Sequence, residues 1–213
     1  MSMKNRGFTL VEMMVSLAIF SVVAVIAIGA LLKVIDANKK SQSMQSAVTN
    51  INFAMESMSR DLRTGTSIQC FSSSDLSNAI NNGRFVSDNV SACSIGRNQA
   101  VAFYSTRTNQ SDSPACGHGL ITAYEFNDIS DGSYELQKAE QTSCGGPLGQ
   151  FSDLISPDDM TIDNYELGVL YAGNGTNPSY PLTFIRITGH AGERVQDQTL
   201  VDLETAVSAR TSQ

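Results

Sequence analysis

The sequence predicts an α+β protein in which a long N-terminal α-helix packs its distal half on an antiparallel β-sheet. Three observations lead to this prediction. An uncharged run covers Met13 to Leu32, an amphipathic stripe follows it up to Leu62, and short apolar runs separated by turn residues fill the rest of the 213-residue chain. Hydrophobic residues make up 41% of the chain and charged residues 16%, which excludes a wholly disordered polymer.

The apolar run is long enough to cross a membrane. As an α-helix, its 20 residues would rise about 30 Å, the thickness of the hydrocarbon core of a bilayer. Lys4 and Arg6 precede the run, so the leader is expected in the cytoplasm and the rest of the chain outside. A cleaved secretory signal is disfavoured, because its apolar region is usually about 7 to 15 residues long and ends in a small-residue cleavage site.

The start of this helix carries the most specific pattern in the chain. A basic leader ends in Gly, Phe follows, and Glu stands four residues later, in the segment Lys4-Asn5-Arg6-Gly7-Phe8-Thr9-Leu10-Val11-Glu12. This segment resembles the processing site of type IV pilins and type II secretion pseudopilins. The resemblance implies that prepilin peptidase cuts between Gly7 and Phe8 and methylates the new amine of Phe8.

Glu12 is expected to act in assembly. A carboxylate at the edge of a bilayer is costly, and such residues usually have a partner. After cleavage, the Phe8 ammonium lies one helical turn from Glu12, so the Glu12 carboxylate of one subunit is expected to meet the Phe8 ammonium of its neighbour. Such a pair is favourable only when both charges are matched, and it would therefore fix the register of packed helices. Snorkelling of Glu12 to the lipid headgroups is the alternative.

The helix is predicted to run without a break over Phe8 to Thr64, about 85 Å. Beyond the membrane, apolar residues recur at alternating steps of four and three, which keeps them on one face. Gly65 is well placed to end the helix. The residues expected on the buried face are Met44, Val48, Ile51, Met55, Met58 and Leu62.

The expected organisation has four parts: a cleaved leader (1–7), a transmembrane and assembly half of the helix (8–32), an amphipathic distal half (33–64) and an exported, disulfide-stabilised β-rich domain (65–213). Asp131-Gly132 is a strong hairpin signal between the second and third candidate strands. The candidate strands are Ala100 to Thr106, Leu120 to Phe126, Tyr134 to Lys138, Thr161 to Tyr171, Leu182 to Thr188 and Thr199 to Ser208.

All four cysteines lie in the exported part, where disulfides form and persist. Three pairings are possible. Cys116 and Cys144 are each 14 residues from Ser130, so antiparallel pairing about the hairpin turn would bring them opposite each other. That arrangement leaves Cys70 to pair with Cys93.

Metal and catalytic sites receive little support from the sequence. A metal site built on Cys116 and His118 lacks the usual zinc spacing. His118 and His190 have no nucleophile elbow or phosphate cradle nearby, so both are interpreted as solvent-exposed loop histidines. The acidic stretch Asp153 to Asp163 could bind Ca²⁺, as some pseudopilins do, but its spacing matches no EF-hand, which favours a solvated turn. No other cofactor is expected.

Charge argues against general nucleic-acid binding. Beyond Thr64 the chain has seven basic and seventeen acidic residues, whereas phosphate binding needs clustered Lys and Arg. An exported enzyme that borrows the anchor stays a distant alternative, to be kept only if a pocket with convergent polar groups is found.

The resemblance therefore implies a structural, non-enzymatic subunit of a type IV pilus or type II secretion pseudopilus. Ser59 to Arg63 and Thr205 to Arg210 look like segments of the larger minor subunits of the J and W types, which would sit at or near the fibre tip. The implied partners are other pilin subunits, prepilin peptidase, an inner-membrane assembly platform and, before assembly, membrane lipid. The alternatives are a major pilin and a competence pseudopilin that takes up DNA.

Overall fold

The computed structural model describes residues 7–81, 85, 93–97, 100–105, 119–129, 131–143, 145–156, 160–172, 179–192 and 198–209. The chain divides into two compact units, Met1–Gln42 and Ser43–Gln213. The first unit is helical over its described residues from Leu10 onward, and the second contains helical residues and all of the strands.

Helix α1 spans Leu10–Thr64. Its end agrees with the predicted Thr64, and its start lies two residues after the predicted Phe8. Near its N-terminus, α1 contains a stretch that is long and apolar enough to cross a membrane, and none of the residues of this stretch is buried. That property fits membrane anchoring.

The buried face of α1 in the second unit begins one turn later than predicted. Met44 is 43% exposed, so the expectation that it lies on the buried face is wrong, whereas Val48 is half-buried at the edge of that face. The stripe instead uses two small residues, Ala47 and Ala54, which let neighbouring elements approach closely. Its buried members are Ala47, Ile51, Ala54, Met55, Met58, Asp61 and Leu62.

Gly65 directly follows the helix, and its lack of a side chain makes room for the ring of Phe103. Its backbone N–H still donates to the Asp61 carbonyl at 2.9 Å, so the last turn remains helical in its hydrogen bonding. A Cβ atom at Gly65 would overlap the Phe103 ring, including Cγ at 2.9 Å. Close approach of this ring, rather than a left-handed backbone, is therefore what requires glycine here.

The strands form one antiparallel sheet in the order β1-β3-β4-β5-β7-β8-β9, with β2 paired to β7 and β6 paired to β5. This architecture confirms the predicted fold class. The strands are β1 (Thr66–Phe71), β2 (Cys93–Gly96), β3 (Ala100–Ser105), β4 (Leu120–Ile129), β5 (Ser133–Glu140), β6 (Ser152–Asp153), β7 (Thr161–Ala172), β8 (Ser179–Ala191) and β9 (Thr199–Ser208).

All six candidate strands are present, and β9 has the predicted bounds. Strands β1, β2 and β6 and the short helix α2 (Ser73–Asn81) were not predicted. Strands of two to four residues, such as β2 and β6, are too short to show a period. In β1, a register shift and the left-handed φ of 54° at Ser67 break the alternation.

The predicted hairpin joins β4 to β5. Ile129 pairs with Ser133, and Gly132 adopts a left-handed φ of 87°, which glycine tolerates best. The Asp131 carboxylate accepts the Ser133 hydroxyl and, at 2.9 Å, the Ser133 N–H. These hydrogen bonds lower the pKa of Asp131.

The sheet buries apolar residues on both faces. Val101 and Phe103 of β3 belong to the main core with α1, whereas Ala100 and Ala102 face a second cluster with Leu76 of α2. Alternate residues of β3 thus pack into different apolar clusters on the two faces of the sheet, as strand geometry requires. Between β4 and β7, the rings of Phe126 and Tyr165 stack with their centroids 4.1 Å apart.

Candidate functional site

The predicted processing bond lies just before α1. Residues 7–9 are non-helical, and the Phe8 side chain is 78% exposed. A Cβ atom at Gly7 would meet nothing within 4 Å, so the chain's own packing does not require glycine at this position. Any need for a small residue at position 7 must therefore come from a molecule that binds this segment.

Thr9 caps the first turn of α1. Its hydroxyl accepts the backbone N–H of Glu12 at 3.3 Å, and its carbonyl accepts the N–H of Met13 at 3.3 Å. The spacing Thr-x-x-Glu is that of a capping box, a signal that the sequence analysis did not use. The cap explains why the helix begins at Leu10, and it fixes Glu12 in the first turn, where the helix dipole favours a negative charge.

Hydroxyl groups in the apolar half of α1 are satisfied within the helix. Ser16 donates to the Glu12 carbonyl at 2.7 Å, and Ser21 donates to the Leu17 carbonyl at 2.8 Å. An unsatisfied hydroxyl in hydrocarbon would cost several kcal/mol. These side chains are therefore compatible with a lipid environment.

A second group of polar residues, missed by the sequence analysis, lies inside the domain. Asp61 of α1 is only 4% exposed. Its Oδ2 atom accepts the Tyr124 hydroxyl at 2.6 Å and the Lys138 ammonium at 2.9 Å, and Lys138 also contacts Glu140 at 2.6 Å. We call Asp61, Tyr124, Lys138 and Glu140 the helix–sheet cluster, because they join α1 to β4 and β5.

Electrostatics within the helix–sheet cluster agree with its geometry. Burial raises the pKa of Tyr124, and so does the adjoining Asp61 carboxylate, which accepts a hydrogen bond from the phenol. Burial opposes the charge on Lys138, but Glu140 and Asp61 outweigh it and raise the pKa of the ammonium. The Tyr124 proton and the Lys138 charge are both retained at neutral pH. The sequence indicated only the helix face of Asp61, since it stands three residues after Met58, and contained no signal for its partners Tyr124 and Lys138.

The cysteine prediction is confirmed in the part that the structure describes. Cys70 of β1 and Cys93 of β2 form a disulfide, which ties two strands that are not neighbours in the sheet. Cys116, Cys144 and His118 lie outside the described residues, so their predicted pairing and their environment stay as predictions.

His190 is not a loop residue, and this part of the sequence interpretation is wrong. Strand β8 continues through it to Ala191, and its Nδ1 atom lies 2.9 Å from Oδ2 of Asp163. The strand is longer than predicted because β8 and β9 pair without a bulge as far as Ala191 and Thr199. His190 therefore pairs with a carboxylate of β7.

The acidic stretch is only partly described. Asp153 accepts the Gln137 side-chain amide at 2.9 Å, and Asp163 contacts His190, while Asp158 and Asp159 lie outside the described residues. Within the described ranges, no three or more His, Cys, Asp or Glu side chains are grouped as metal ligands would be.

Comparison with known proteins identifies a motif at the N-terminus. Residues 2–28 match the family described as "Prokaryotic N-terminal methylation motif". No curated protein and no solved structure matches the chain. The matched region contains Gly7, Phe8, Thr9 and Glu12, together with most of the apolar run. This chain therefore carries the prokaryotic N-terminal methylation motif, which is typical of type IV pilins and pseudopilins.

Proposed function

We propose that this protein is a minor pilin or pseudopilin subunit, structural rather than catalytic, that assembles into a type IV pilus or a type II secretion pseudopilus. The observation that carries the proposal is the methylation motif at residues 2–28, followed directly by the unburied apolar part of α1. The subunit is first held in the inner membrane, with residues 65–213 exported, and then enters the fibre.

Processing occurs at the bond between Gly7 and Phe8. This bond lies in non-helical chain, as a peptidase requires, because the active site must reach both sides of the scissile carbonyl. Cleavage by prepilin peptidase removes Lys4 and Arg6, the cationic residues that hold the leader in the cytoplasm. Methylation of the Phe8 amine follows.

Assembly uses the charges that processing creates. A free ammonium at Phe8 stands at the N-terminal end of α1, where the helix dipole disfavours a cation. Lipid or packed helices around it make an unmatched charge costly as well. The Glu12 carboxylate of a neighbouring subunit removes both penalties, and the contact sets the stagger between subunits.

A position among the minor subunits, at or near the tip, is supported by the resemblance of Ser59 to Arg63 and Thr205 to Arg210 to segments of the larger minor subunits of the J and W types. Asp61 in this segment fastens α1 to the sheet through the helix–sheet cluster. The acidic excess beyond Thr64 favours a role in secretion or adhesion over DNA uptake. The Cys70–Cys93 disulfide suits an oxidising compartment outside the cytoplasm.

The intact mass of the membrane-extracted chain tests the processing step. We expect a mature chain that starts at Phe8 and carries one added methyl group. The variant Gly7→Trp should remain at precursor mass, because a Cβ atom at position 7 meets nothing within 4 Å of the described chain and the peptidase is expected to reject the larger residue. A normally processed Gly7→Trp chain would contradict the proposal.

Sheared fibres test the assembly step. Glu12→Gln should be processed normally but should be depleted from fibres at least tenfold, because the Phe8 ammonium loses its partner. Ser16→Ala is the matched control: it removes a hydroxyl on the next turn that bonds only within its own helix, and it should enter fibres as the wild type does. Equal incorporation of Glu12→Gln and Ser16→Ala would refute the assembly role.

A further inference from the structure

Strand β9 is a long and regular edge of the sheet. Its residues Thr199–Ser208 pair with β8 along their whole length without a register shift. On its other side, the described part of the chain provides no strand. An edge strand presents unpaired N–H and C=O groups, and natural proteins usually blunt such edges with bulges, prolines or lysines. No bulge, proline or lysine interrupts β9, and its charged residues, Asp202 and Glu204, are both acidic, so a strand that carries the opposite charge can pair with it.

A groove runs beside this edge. It has a volume of about 1380 Å³, and one wall is α1, including Met55, Ser59 and Arg63. The other wall is formed by residues of β9 between Leu203 and Ser208, together with Ala209 just after the strand. Seven residues of extended chain cover about 23 Å. An extended segment in the groove would therefore lie along the free edge of β9, where backbone hydrogen bonds give affinity and side-chain contacts give specificity.

The charges on the outer face of the sheet, which is the face of β7, β8 and β9 that bears Glu166, Arg186 and Glu204, indicate which charge a bound segment should carry. Glu166, Arg186 and Glu204 stand opposite one another on β7, β8 and β9, so their charges alternate across the three strands. The Arg186 guanidinium donates to both carboxylate oxygens of Asp202, at 3.1 and 2.8 Å. This single cation faces three carboxylates. A cation in a further strand, opposite Glu204, would continue the alternation and offset the excess negative charge.

A second copy of this chain is a poorer occupant. In an antiparallel pairing of β9 with itself, any register centred on Asp202, Leu203 or Glu204 places an acidic side chain opposite an acidic side chain. Like charges directly opposite each other destabilise a sheet. The outer face of β9 therefore selects against self-pairing through the middle of the strand.

We propose that the groove binds an extended segment of a partner protein, which adds a strand to β9 and carries Lys or Arg on the face that meets Asp202 and Glu204. The other face of the segment meets the α1 wall, which includes Ser59 and Arg63, and uncharged β-branched residues on that face favour the extended chain. The inference does not depend on the function proposed above, because it rests on residues of the second unit alone. It predicts a contact that is separate from helix packing.

A peptide probe tests the proposal on the full-length chain in micelles of a neutral detergent. The probe is the end-capped, fluorescein-labelled peptide Thr-Lys-Val-Lys-Thr-Lys-Val, and fluorescence anisotropy gives the dissociation constant. We expect binding that weakens at least tenfold when glutamates replace the lysines. Two further probes carry N-methyl groups on alternate backbone nitrogens. In one probe all the methylated nitrogens lie on one edge of the extended peptide, and in the other probe they all lie on the opposite edge. Strand addition requires that only one of them loses binding.

Variants of the chain separate strand addition from general charge attraction. Glu204→Lys should weaken binding of the lysine probe at least tenfold. Glu166→Lys is the matched control, since it makes the same charge change in the same row but two strands away, about 10 Å from the edge position; it should change affinity by less than threefold. Circular dichroism confirms that both variants are folded.

Three results would overturn the proposal. The first is equal binding of the two N-methylated probes. The second is an equal effect of Glu204→Lys and Glu166→Lys, which would indicate a diffuse electrostatic attraction. The third is a dimer of the chain, seen by analytical ultracentrifugation, that the lysine probe dissociates, because this would identify a second copy as the occupant.

Discussion

The Nζ atom of Lys138 lies 2.9 Å from Oδ2 of Asp61, a contact that joins β5 to α1 across 77 positions of the chain. The Tyr124 hydroxyl donates to the same oxygen from β4. A carboxylate that is almost fully buried is stable only when it is paired and hydrogen-bonded. Asp61 therefore joins this part of the helix to β4 and β5 through a buried, charge-assisted contact.

Removing the charge of Asp61 should destabilise the domain. We expect Asp61→Asn to lower the free energy of unfolding by about 2 to 4 kcal/mol, because the partly buried Lys138 loses its best-shielded partner. Urea denaturation of the full chain in micelles measures the change. Glu140 is the other partner of Lys138, and its side chain is 60% exposed. Glu140→Gln should therefore lower the free energy of unfolding by less than about 1 kcal/mol. Similar effects of the two substitutions would contradict the structural role of Asp61.

Alkaline pH should destabilise the fold through buried tyrosines. Burial and the neighbouring Tyr134 raise the pKa of Tyr165 from its usual 10 to about 12. Between these pH values the unfolded chain releases this proton and the folded chain keeps it. The contribution of Tyr165 to the free energy of unfolding is therefore fully present below pH 10 and is lost as the pH rises toward 12. We expect Tyr165→Phe to show a shallower fall in denaturation midpoint over this range. Parallel profiles for the wild type and Tyr165→Phe would contradict this assignment.

The features that could be predicted from the sequence are those encoded by neighbouring residues. The segment from Gly7 to Glu12 is a contiguous pattern, and the period of two in Thr199–Ser208 gave the bounds of β9. Helix α2 also had a local signal, since the Ser72 carbonyl accepts the N–H of Asp75 and the Ser72 hydroxyl donates to its carboxylate. The Ser-x-x-Asp spacing of Ser72 and Asp75 is a helix-capping pattern that predicts a helix start here.

The helix–sheet cluster could not be predicted in the same way. The burial of Asp61 is tolerable only because of Tyr124 and Lys138, which are 63 and 77 residues away. Only the register of β4 with β5 and their packing against α1 bring these side chains together. The exposure of Met44 is likewise a tertiary property, since its spacing from Val48 and Ile51 is that of a buried stripe.

Loss of the Cys70–Cys93 disulfide should lower the free energy of unfolding, mainly because the unfolded chain gains conformational entropy. The bridge closes a loop with a sequence separation of 23 residues, for which chain entropy gives about 3 kcal/mol. We expect the double variant Cys70→Ala/Cys93→Ala to lose about this amount in urea denaturation. Replacing both cysteines leaves no single thiol to mispair with Cys116 or Cys144. A loss below about 1 kcal/mol would show that the unfolded chain is already restricted in this region.

The junction between α1 and β1 should not tolerate a side chain at Gly65. A methyl group there overlaps the ring of Phe103, which is fully buried in the main core, so we expect Gly65→Ala to cost about 1 to 3 kcal/mol in the free energy of unfolding. Gly96→Ala is the control, because the nearest atom to its added Cβ would be 3.9 Å away. Phe103→Leu is destabilising by itself, but it makes space for the methyl group. The double variant Gly65→Ala/Phe103→Leu should therefore be more stable than the sum of the two single losses predicts, and strictly additive losses would show that the ring is not what excludes the side chain.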